Sequence, residues 1–247
     1  QPLTINSPMT VGMMAGQWCP HGLDPDQPGD QQLEEAGSLI FDTQALEREL
    51  IILGAPRIRL EISSDKPNAM LAACLSEVFP DGRATRVSYG LLNLTHMNSH
   101  ENPELLTEGK KYSIVLKLNE AGHCFGVGNR IRLALSTVYW PIAWPSPERS
   151  TLTVGENGMS LMLPVRPDRS SDQVLKSFEE PEAAKPLAKT VIKEPEYKWR
   201  FERDMASEIV TQHQWFDEGT TQYDLHNGWT VSSTHDEQMS VHPNDPL

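Results

Sequence analysis

Two histidines four residues apart, His96 and His100, have a spacing that could bind a metal ion. On a helix they would share one face and direct two imidazoles toward the same zinc ion. The pair follows a strand-like run, however, and it precedes Asn102-Pro103, a pattern that favours a turn. We therefore predict turn residues with hydrogen-bonded imidazoles here, and no zinc site.

A second group with possible ligands is the oxygen-rich stretch that contains His21, Asp24, Asp26 and Asp30. Carboxylate oxygens are the ligands that Ca²⁺ prefers. The spacing differs from that of an EF-hand loop, and two prolines in the stretch favour a solvated loop over a calcium site. The sequence therefore predicts no metal and no cofactor.

A catalytic nucleophile is not evident in the sequence. There is no Gly-x-Ser-x-Gly, the strained strand-to-helix turn on which α/β-hydrolases carry their serine, and there is no phosphate-binding or dinucleotide-binding glycine motif. The carboxylate pairs Glu34-Glu35 and Glu179-Glu180 lie in polar stretches, where such pairs are usually solvated. We therefore predict that this chain lacks a complete active site and is inactive by itself.

Three aromatic side chains, Tyr139, Trp140 and Trp144, lie close together in a proline-containing loop after a predicted core strand. Amphipathic rings on a loop are common anchors at protein contacts, so we interpret all three as domain-interface residues. The alternative is a carbohydrate-binding module in which Trp140 and Trp144 form a platform. Trp18, which follows two glycines, is interpreted as a contact residue in the same way.

Short apolar or alternating runs, separated by Gly, Pro, Asn and Asp, fill residues 38–165 and predict an all-β sandwich. Apolar side chains at positions 58, 60 and 62 alternate with charged ones, as they would on a half-buried strand. The predicted strands are 38–41, 49–53, 57–63, 69–78, 83–94, 112–118 and 130–137, with weaker ones at 151–154 and 160–164. Pro80-Asp81-Gly82 predicts a tight turn that pairs the fourth strand with the fifth.

The composition changes after residue 167, which predicts three segments. Residues 1–167 form the sandwich domain, and the polar, proline-containing residues 168–196 form a linker or surface loop. Residues 197–247 are an extension with further strands at 197–203, 207–214 and 228–233, and with turns at 217–219 and 226–228. We expect this extension to continue the sandwich and to be truncated at its C-terminal end.

Charge and hydropathy exclude several partners. The net charge of −13 would repel nucleic acid and anionic membranes, and no apolar run approaches the roughly 20 residues of a membrane helix. Three cysteines without close spacing favour a reducing compartment, and hence a cytoplasmic location. The N-terminus has neither an initiator Met nor a signal sequence, so we expect a longer protein upstream.

A set of motifs, in order along the chain, resembles the C-terminal domain of the X-Pro dipeptidyl-peptidase and cocaine-esterase-like hydrolases. The resemblance covers roughly residues 7–165 and is weaker from 199 to 247. The matching motifs are Asp30-Gln31-Gln32, Ser38-Leu39-Ile40-Phe41-Asp42-Thr43, Leu53-Gly54-Ala55-Pro56, Leu75-Ser76-Glu77-Val78-Phe79-Pro80-Asp81-Gly82-Arg83-Ala84, Tyr89-Gly90-Leu91-Leu92 and Gly128-Asn129-Arg130-Ile131-Arg132-Leu133-Ala134-Leu135-Ser136.

The resemblance implies a jelly-roll β-sandwich of the galactose-binding-domain type, a non-catalytic domain of a serine hydrolase that acts on peptide, ester or amide bonds. Its partners would be an α/β-hydrolase domain with a Ser-His-Asp triad and a helical cap domain of the same chain, and a homo-oligomer is compatible with it. The early Gly-rich segment would reach the rim of the substrate pocket, and it contains Met13, Met14, Gln17 and Trp18. The chain departs from the family at Met97, where an Arg is frequent.

Overall fold

The computed structural model describes residues 2–20, 26–155, 159–170, 172, 176–224 and 227–246. By internal contacts the chain divides into two units, unit 1 with residues 1–167 and 242–247, and unit 2 with residues 168–241. Within the described ranges, no helix is long and apolar enough to span a membrane.

The first sheet of unit 1 is organised around β4 (Arg57–Ser64), in which apolar and charged side chains alternate. One side of β4 pairs with β7 (Tyr112–Lys117). Its C-terminal part also pairs with β10 (Leu152–Val154) and its N-terminal part with β11 (Ser160–Met162). The short β1 (Leu3–Ile5) extends this antiparallel sheet beyond β10.

The second sheet contains four antiparallel strands in the order β2, β9, β5, β6. Their bounds are β2 (Leu39–Asp42), β5 (Met70–Val78), β6 (Ala84–Asn93) and β9 (Arg130–Ser136). The predicted turn between β5 and β6 is confirmed, and the Gly82 N–H donates to the Phe79 carbonyl at 2.9 Å. Beside the two sheets, β3 (Leu50–Gly54) pairs with β8 (Ala121–Phe125), so His123 and Cys124 are strand residues as predicted.

One hydrophobic core joins the two sheets of unit 1. It contains side chains from the first sheet and from the second, all at most 4% exposed, including Ile58, Leu60, Ile62 and Ile114 with Leu71, Ala73, Leu75, Ile131, Leu133 and Leu135. Each fully buried Leu or Ile stabilises the fold by roughly 1.5–3 kcal/mol. The all-β class and the strands predicted between residues 38 and 164 are confirmed to within a few residues at their ends.

A smaller second cluster lies on the opposite face of the second sheet. Met70 and Ala72 of β5 pack there against Val11, Ala15 and Tyr139, which lie outside the sheets. All nine residues of β5 are therefore buried. The N-terminal segment thus covers a sheet face that would otherwise contact solvent.

Unit 2 contains an antiparallel sheet of its own, made of β12 (Lys189–Lys193), β13 (Glu196–Arg203), β14 (Val210–Tyr223) and β15 (Trp229–Val241). β12 and β13 pair with successive halves of β14, and β15 pairs with nearly its whole length. Among the described strand pairs, none joins this sheet to those of unit 1. The strands expected at 197–203, 207–214 and 228–233 thus lie in a sheet of their own, whereas residues 242–247 belong to unit 1. The expected continuation of the sandwich by residues 197–247 stays a prediction.

Two local predictions in this region differ from the structure. The expected linker 168–196 contains the strand β12. Its five residues are all exposed, so the strand lacks the alternation of apolar and polar side chains from which it could have been predicted. The expected turn at residues 217–219 is an irregularity inside β14, where the register shifts between Asp217 and Thr220. Of the expected turn at 226–228, Asn227 and Gly228 lie between β14 and β15, and His226 lies outside the described residues.

Candidate functional site

The segment from Pro8 to Trp18 folds into consecutive tight turns before the first strand of the second sheet. The Val11 N–H donates to the Pro8 carbonyl at 3.1 Å, and the Ala15 N–H donates to the Gly12 carbonyl at 3.0 Å. We call residues 12–18 the rim loop, because they include all four residues predicted for a pocket rim. Met13, Met14 and Gln17 are half-buried, whereas the Trp18 side chain is 77% exposed.

A single carboxylate, that of Glu34, accepts hydrogen bonds from two backbone groups of the rim loop. Its Oε2 atom accepts from the Gly12 N–H and its Oε1 atom accepts from the Met14 N–H. Glu34 lies on the short helix α1 (Gln32–Glu35), which follows the Asp30-Gln31 element directly. The position of the loop is therefore set by a side chain twenty residues further along the chain.

The residue before α1, Gln31, holds the same loop from a second side. Its Nε2 atom donates to the Met14 carbonyl at 3.0 Å and to the Gly29 carbonyl at 2.8 Å. The Gly29 N–H in turn donates to the Met14 carbonyl at 3.0 Å. Both backbone polar groups of Met14 are thus satisfied inside the protein, which leaves this part of the loop little freedom.

Burial gives Glu34 unusual electrostatics. Glu34 is 5% exposed, and the loss of hydration on burial raises the pKa of its carboxyl group from 4.5 to about 7. The hydrogen bonds from Met14 and Gly12 and the charge of Arg86 lower the pKa, but less than burial raises it. The prediction that Glu34-Glu35 is solvated is therefore wrong, since Glu35 is also buried at 4% exposure.

Glu35 points to a different partner, the guanidinium group of Arg132 on β9. Arg132 donates from Nε and Nη2 to the two carboxylate oxygens of Asp42, at 2.7 and 2.6 Å, and from Nη1 to Glu35 Oε2. Burial raises the pKa of Glu35, whereas the hydrogen bond from Arg132 lowers the pKa of Asp42. This triad ties α1 to β2 and β9 and so fixes the helix that carries Glu34.

Gly12 is the point where the rim loop contacts residues 139–144, which we call the aromatic segment. Its φ of +113° lies in a region that favours glycine, and a Cβ atom there would lie 2.2 Å from the Trp140 carbonyl oxygen. The backbone at Gly12 therefore passes directly over the backbone of residues 139–140. A side chain at this position would displace the loop.

The three aromatic residues of that segment occupy different environments. Tyr139 and Trp140 are 3% and 0% exposed, whereas Trp144 is 49% exposed and donates from Nε1 to the Pro246 carbonyl at 2.8 Å. The Tyr139 hydroxyl accepts from Arg86 at 3.0 Å, and its ring stacks on Tyr89. Tyr139 and Trp140 are thus interior residues of this chain, so neither is accessible as an interface anchor or as the Trp140 half of a carbohydrate platform, and Trp144 is the exposed ring of the three.

The turn predicted around His96 is present. A 3-10 turn spans Leu94–His96, and the His96 and His100 rings lie 5.5 Å apart. In the part of the chain that the structure describes, no group of three or more His, Cys, Asp or Glu side chains could hold a metal ion. Asp30 uses its Oδ1 atom to accept from the N–H groups of Gln32 and Ala84, at 3.1 and 3.0 Å. His21 and Asp24 lie outside the described residues.

A third buried glutamate, Glu77 of β5, was not singled out from the sequence. It accepts from His123 Nε2 at 2.8 Å, from the Gly126 N–H at 2.7 Å and from Asn129 Nδ2 at 2.7 Å. With three donors on one carboxylate, its role is to hold the turn between β8 and β9. In the sequence, the available signal was that Glu77 is the one charged residue in the otherwise uncharged run 70–78, and a charge on a buried strand needs partners.

Comparisons with known proteins give a consistent result. The family model of the X-Pro dipeptidyl-peptidase C-terminal non-catalytic domain matches residues 1–202. Cocaine esterase from Rhodococcus sp. (strain MB1 Bresler) is 28% identical over 103 residues, which are 42% of this chain and 18% of the esterase.

Two solved structures share the fold. An α-amino acid ester hydrolase aligns with 67% of this chain and 32% of its own, at 20% identity and a TM-score of 0.56. An aminopeptidase from a marine sediment Thaumarchaeota archaeon aligns with 68% of this chain and 33% of its own, at 16% identity and a TM-score of 0.57. The aligned part of this chain thus corresponds to about a third of either structure.

Proposed function

Because this chain belongs to the family of X-Pro dipeptidyl-peptidase C-terminal non-catalytic domains, we propose that it is the accessory domain of a larger serine hydrolase. In this proposal it packs on an α/β-hydrolase domain and a cap domain of the same protein and forms part of the wall of their substrate pocket. The hydrolase would be of the dipeptidyl-peptidase or acyl-ester type. The rim loop is the part of this chain that meets substrate.

The observation that carries this proposal is the contrast between Trp18 and the loop that bears it. The Gly12 and Met14 N–H groups are bound by Glu34, while the Trp18 ring, a few residues further on, is 77% exposed. Burying such a ring against a partner is favourable by a few kcal/mol. Since part of the loop is already held in place, less conformational entropy is lost when the ring is buried.

We further propose that unit 1 is a jelly roll of the galactose-binding-domain type. Its two antiparallel sheets of five and four strands enclose one hydrophobic core, which supports this proposal because a jelly roll also packs two sheets around one core. This architecture supports the accessory role, because its faces can dock on a neighbouring domain without contributing catalytic groups.

The proposal is tested with the isolated chain and with the complete hydrolase. The isolated chain should not hydrolyse a p-nitrophenyl ester. In the complete protein, Trp18→Ala should raise KM by roughly tenfold and leave kcat nearly unchanged, because a pocket wall binds substrate and transition state alike. Trp229→Ala is the matched control, since that ring is also well exposed, at 63%, but lies on β15 of unit 2.

Two results would contradict this function. One is ester turnover by the isolated chain that a single substitution abolishes, which would place a complete active site here. The other is an unchanged KM in Trp18→Ala, or an equal rise in KM in Trp229→Ala, which would show that the rim loop makes no specific contribution.

A further inference from the structure

The strand β15 (Trp229–Val241) has one edge that is free to pair. In the part of the chain that the structure describes, β14 is the only strand that pairs with β15, and β12 and β13 lie along the other edge of β14. β15 is 13 residues long, and its first eight residues are all exposed. An antiparallel strand directs the N–H and C=O groups of alternate residues away from its neighbour, so this edge can accept a further strand.

The other two edge strands of this sheet are protected from such pairing, whereas β15 is not. Lysine and other charged side chains on an edge strand oppose pairing with a second chain. β15 contains no Lys, Arg or Pro, and the register shift between Asp217 and Thr220 lies in β14, so β15 itself is regular. In contrast, β12 and β13 are shorter and carry five cations, which are Lys189, Lys193, Lys198, Arg200 and Arg203.

The order of residues along β15 is self-complementary. Its two ends are apolar and its centre is polar, with His235 at the middle position. If a second copy pairs antiparallel through its own β15 about His235, Trp229 lies opposite Val241 of the second copy and Val231 lies opposite Met239 of the second copy. Apolar residues thus face apolar residues in this register, and the same face of the sheet continues from one copy to the next.

The two carboxylates of β15 also have suitable neighbours in this register. Within one copy, each carboxylate lies within 3.3 Å of a histidine Nε2 atom. Across the interface, Asp236 would lie opposite Thr234 of the second copy, and Glu237 would lie opposite Ser233 of the second copy. No two carboxylates face each other directly, which limits like-charge repulsion between the paired strands.

We propose that this chain forms a two-fold symmetric homodimer through β15, in which the four-stranded sheets of two copies join into one continuous sheet. The strand is about 43 Å long at 3.3 Å per residue, and a strip of that length across a sheet layer of about 10 Å buries roughly 900 Å² in total. That area is at the lower end for specific interfaces, so the dimer should be weak and reversible, with a Kd on the order of 10 µM. The inference does not rest on the proposed function, because it uses only residues of unit 2.

The association is measured by sedimentation velocity of the full 247-residue chain over about 1–300 µM. Each copy has a net charge of −13, so the buffer contains about 0.5 M NaCl to screen the repulsion between copies. The mass should rise with concentration from the 27.7 kDa of the monomer toward twice that value. A chain that stays monomeric throughout this range would overturn the inference.

Opposite charges introduced at Ser233 test the register. Ser233 is exposed, and the symmetric dimer contains its contact with Glu237 of the second copy twice. Ser233→Glu should raise the Kd roughly tenfold through repulsion, whereas Ser233→Lys should lower it by a similar factor. Thr190→Glu and Thr190→Lys on β12 are the matched controls, because Thr190 is also exposed and the net charge changes equally. Effects at Ser233 no larger than those at Thr190 would show that the proposed interface is wrong.

Amide hydrogen exchange locates the interface independently. Peptides from residues 229–241 should gain protection as the concentration rises through the Kd, whereas peptides from β12 and β13 should not. A dimer whose protected residues lie outside β15 would contradict the proposal. Trp229→Ala remains a valid control for KM, because kinetic assays use nanomolar protein, at which the chain should be monomeric.

Discussion

The stability of unit 1 should decrease as pH rises toward neutrality, and Glu34→Gln should abolish that contribution. Glu34 ionises at a pKa of about 7 in the fold, against 4.5 for a solvated glutamate. As the pH rises, Glu34 therefore loses its proton at a lower pH in the unfolded chain than in the folded chain. The free energy of unfolding falls between about pH 4.5 and pH 7 as a result. At roughly 1.4 kcal/mol for each pKa unit, the full loss is about 3 kcal/mol.

This pH-dependent contribution of Glu34 to stability is measured by urea unfolding of the wild-type and Glu34→Gln chains at pH 5 and at pH 8. The free energy of unfolding of Glu34→Gln relative to wild type should rise between the two pH values by up to about 3 kcal/mol. Glu35 also has a raised pKa, but it titrates in both chains and cancels in the difference. The pKa of Glu77 is lowered, so its contribution is lost only on acidification below this window, and Glu77→Gln should keep the wild-type slope.

Parallel stability curves for wild type and Glu34→Gln would refute the reasoning. They would mean that burial of Glu34 is compensated by its two N–H donors and by Arg86, so that the pKa of Glu34 does not differ between the folded and unfolded states.

Two further predictions concern packing. Gly12→Ala should destabilise unit 1 by roughly 2 kcal/mol or more in thermal unfolding, because Gly12 has a positive φ and lies close to the Trp140 carbonyl. Gly109→Ala should cost less, because Gly109 also has a positive φ but no atom lies within 4 Å of the added Cβ. An equal effect at both positions would exclude the Trp140 contact as the cause. Leu75→Ala should lower the free energy of unfolding in urea by about 2–5 kcal/mol, because Leu75 lies in the central core. Val115→Ala, at an exposed position of β7, should lower it by well under 1 kcal/mol. Similar losses at the two positions would contradict the assignment of Leu75 to the core.

The strands of the sandwich could be predicted because their signal is local. The alternation in β4 and β9 and the Pro80-Asp81-Gly82 turn each depend on residues that are adjacent in sequence. The period of two follows from the pleat of a strand with one buried face. Where that condition fails, as in the fully exposed β12, the sequence contains no periodicity from which a strand could be predicted.

The candidate site depends on contacts that are distant in sequence, and here prediction was weaker. Glu34 and Glu35 lie in a polar stretch of the sequence, yet both are buried in the fold. Glu34 bonds to the N-terminal segment and Glu35 bonds to Arg132 on β9. The same holds for Trp140, whose backbone lies against Gly12, more than a hundred residues earlier in the sequence. The family resemblance, in contrast, identified the rim loop as the segment of interest, although no local pattern predicts how it is held.

The irregularity in β14 shows a different limit. Asp217-Glu218-Gly219 has the composition of a turn, and Gly219 does adopt a φ of +75°. The same backbone shape serves inside a strand, where the Gly219 N–H donates to Asp217 Oδ1 at 2.8 Å and Lys193 bonds the other carboxylate oxygen. A turn and a bulge share their residue preferences, so the choice between them depends on which strands pair alongside.

The double-sided burial of β5 has a consequence for how this domain can change over evolution. A strand with one face in solvent can accept substitutions at every second position, but all nine positions of β5 are buried. Leu71, Ala73 and Leu75 lie in the central core, and Met70 and Ala72 lie in the cluster that includes Val11 and Ala15 of the N-terminal segment. Substitutions in β5 therefore have to be matched by compensating changes in one layer or the other. The N-terminal segment, although it contains little regular structure, should consequently accept substitutions as rarely as the sheet that it covers.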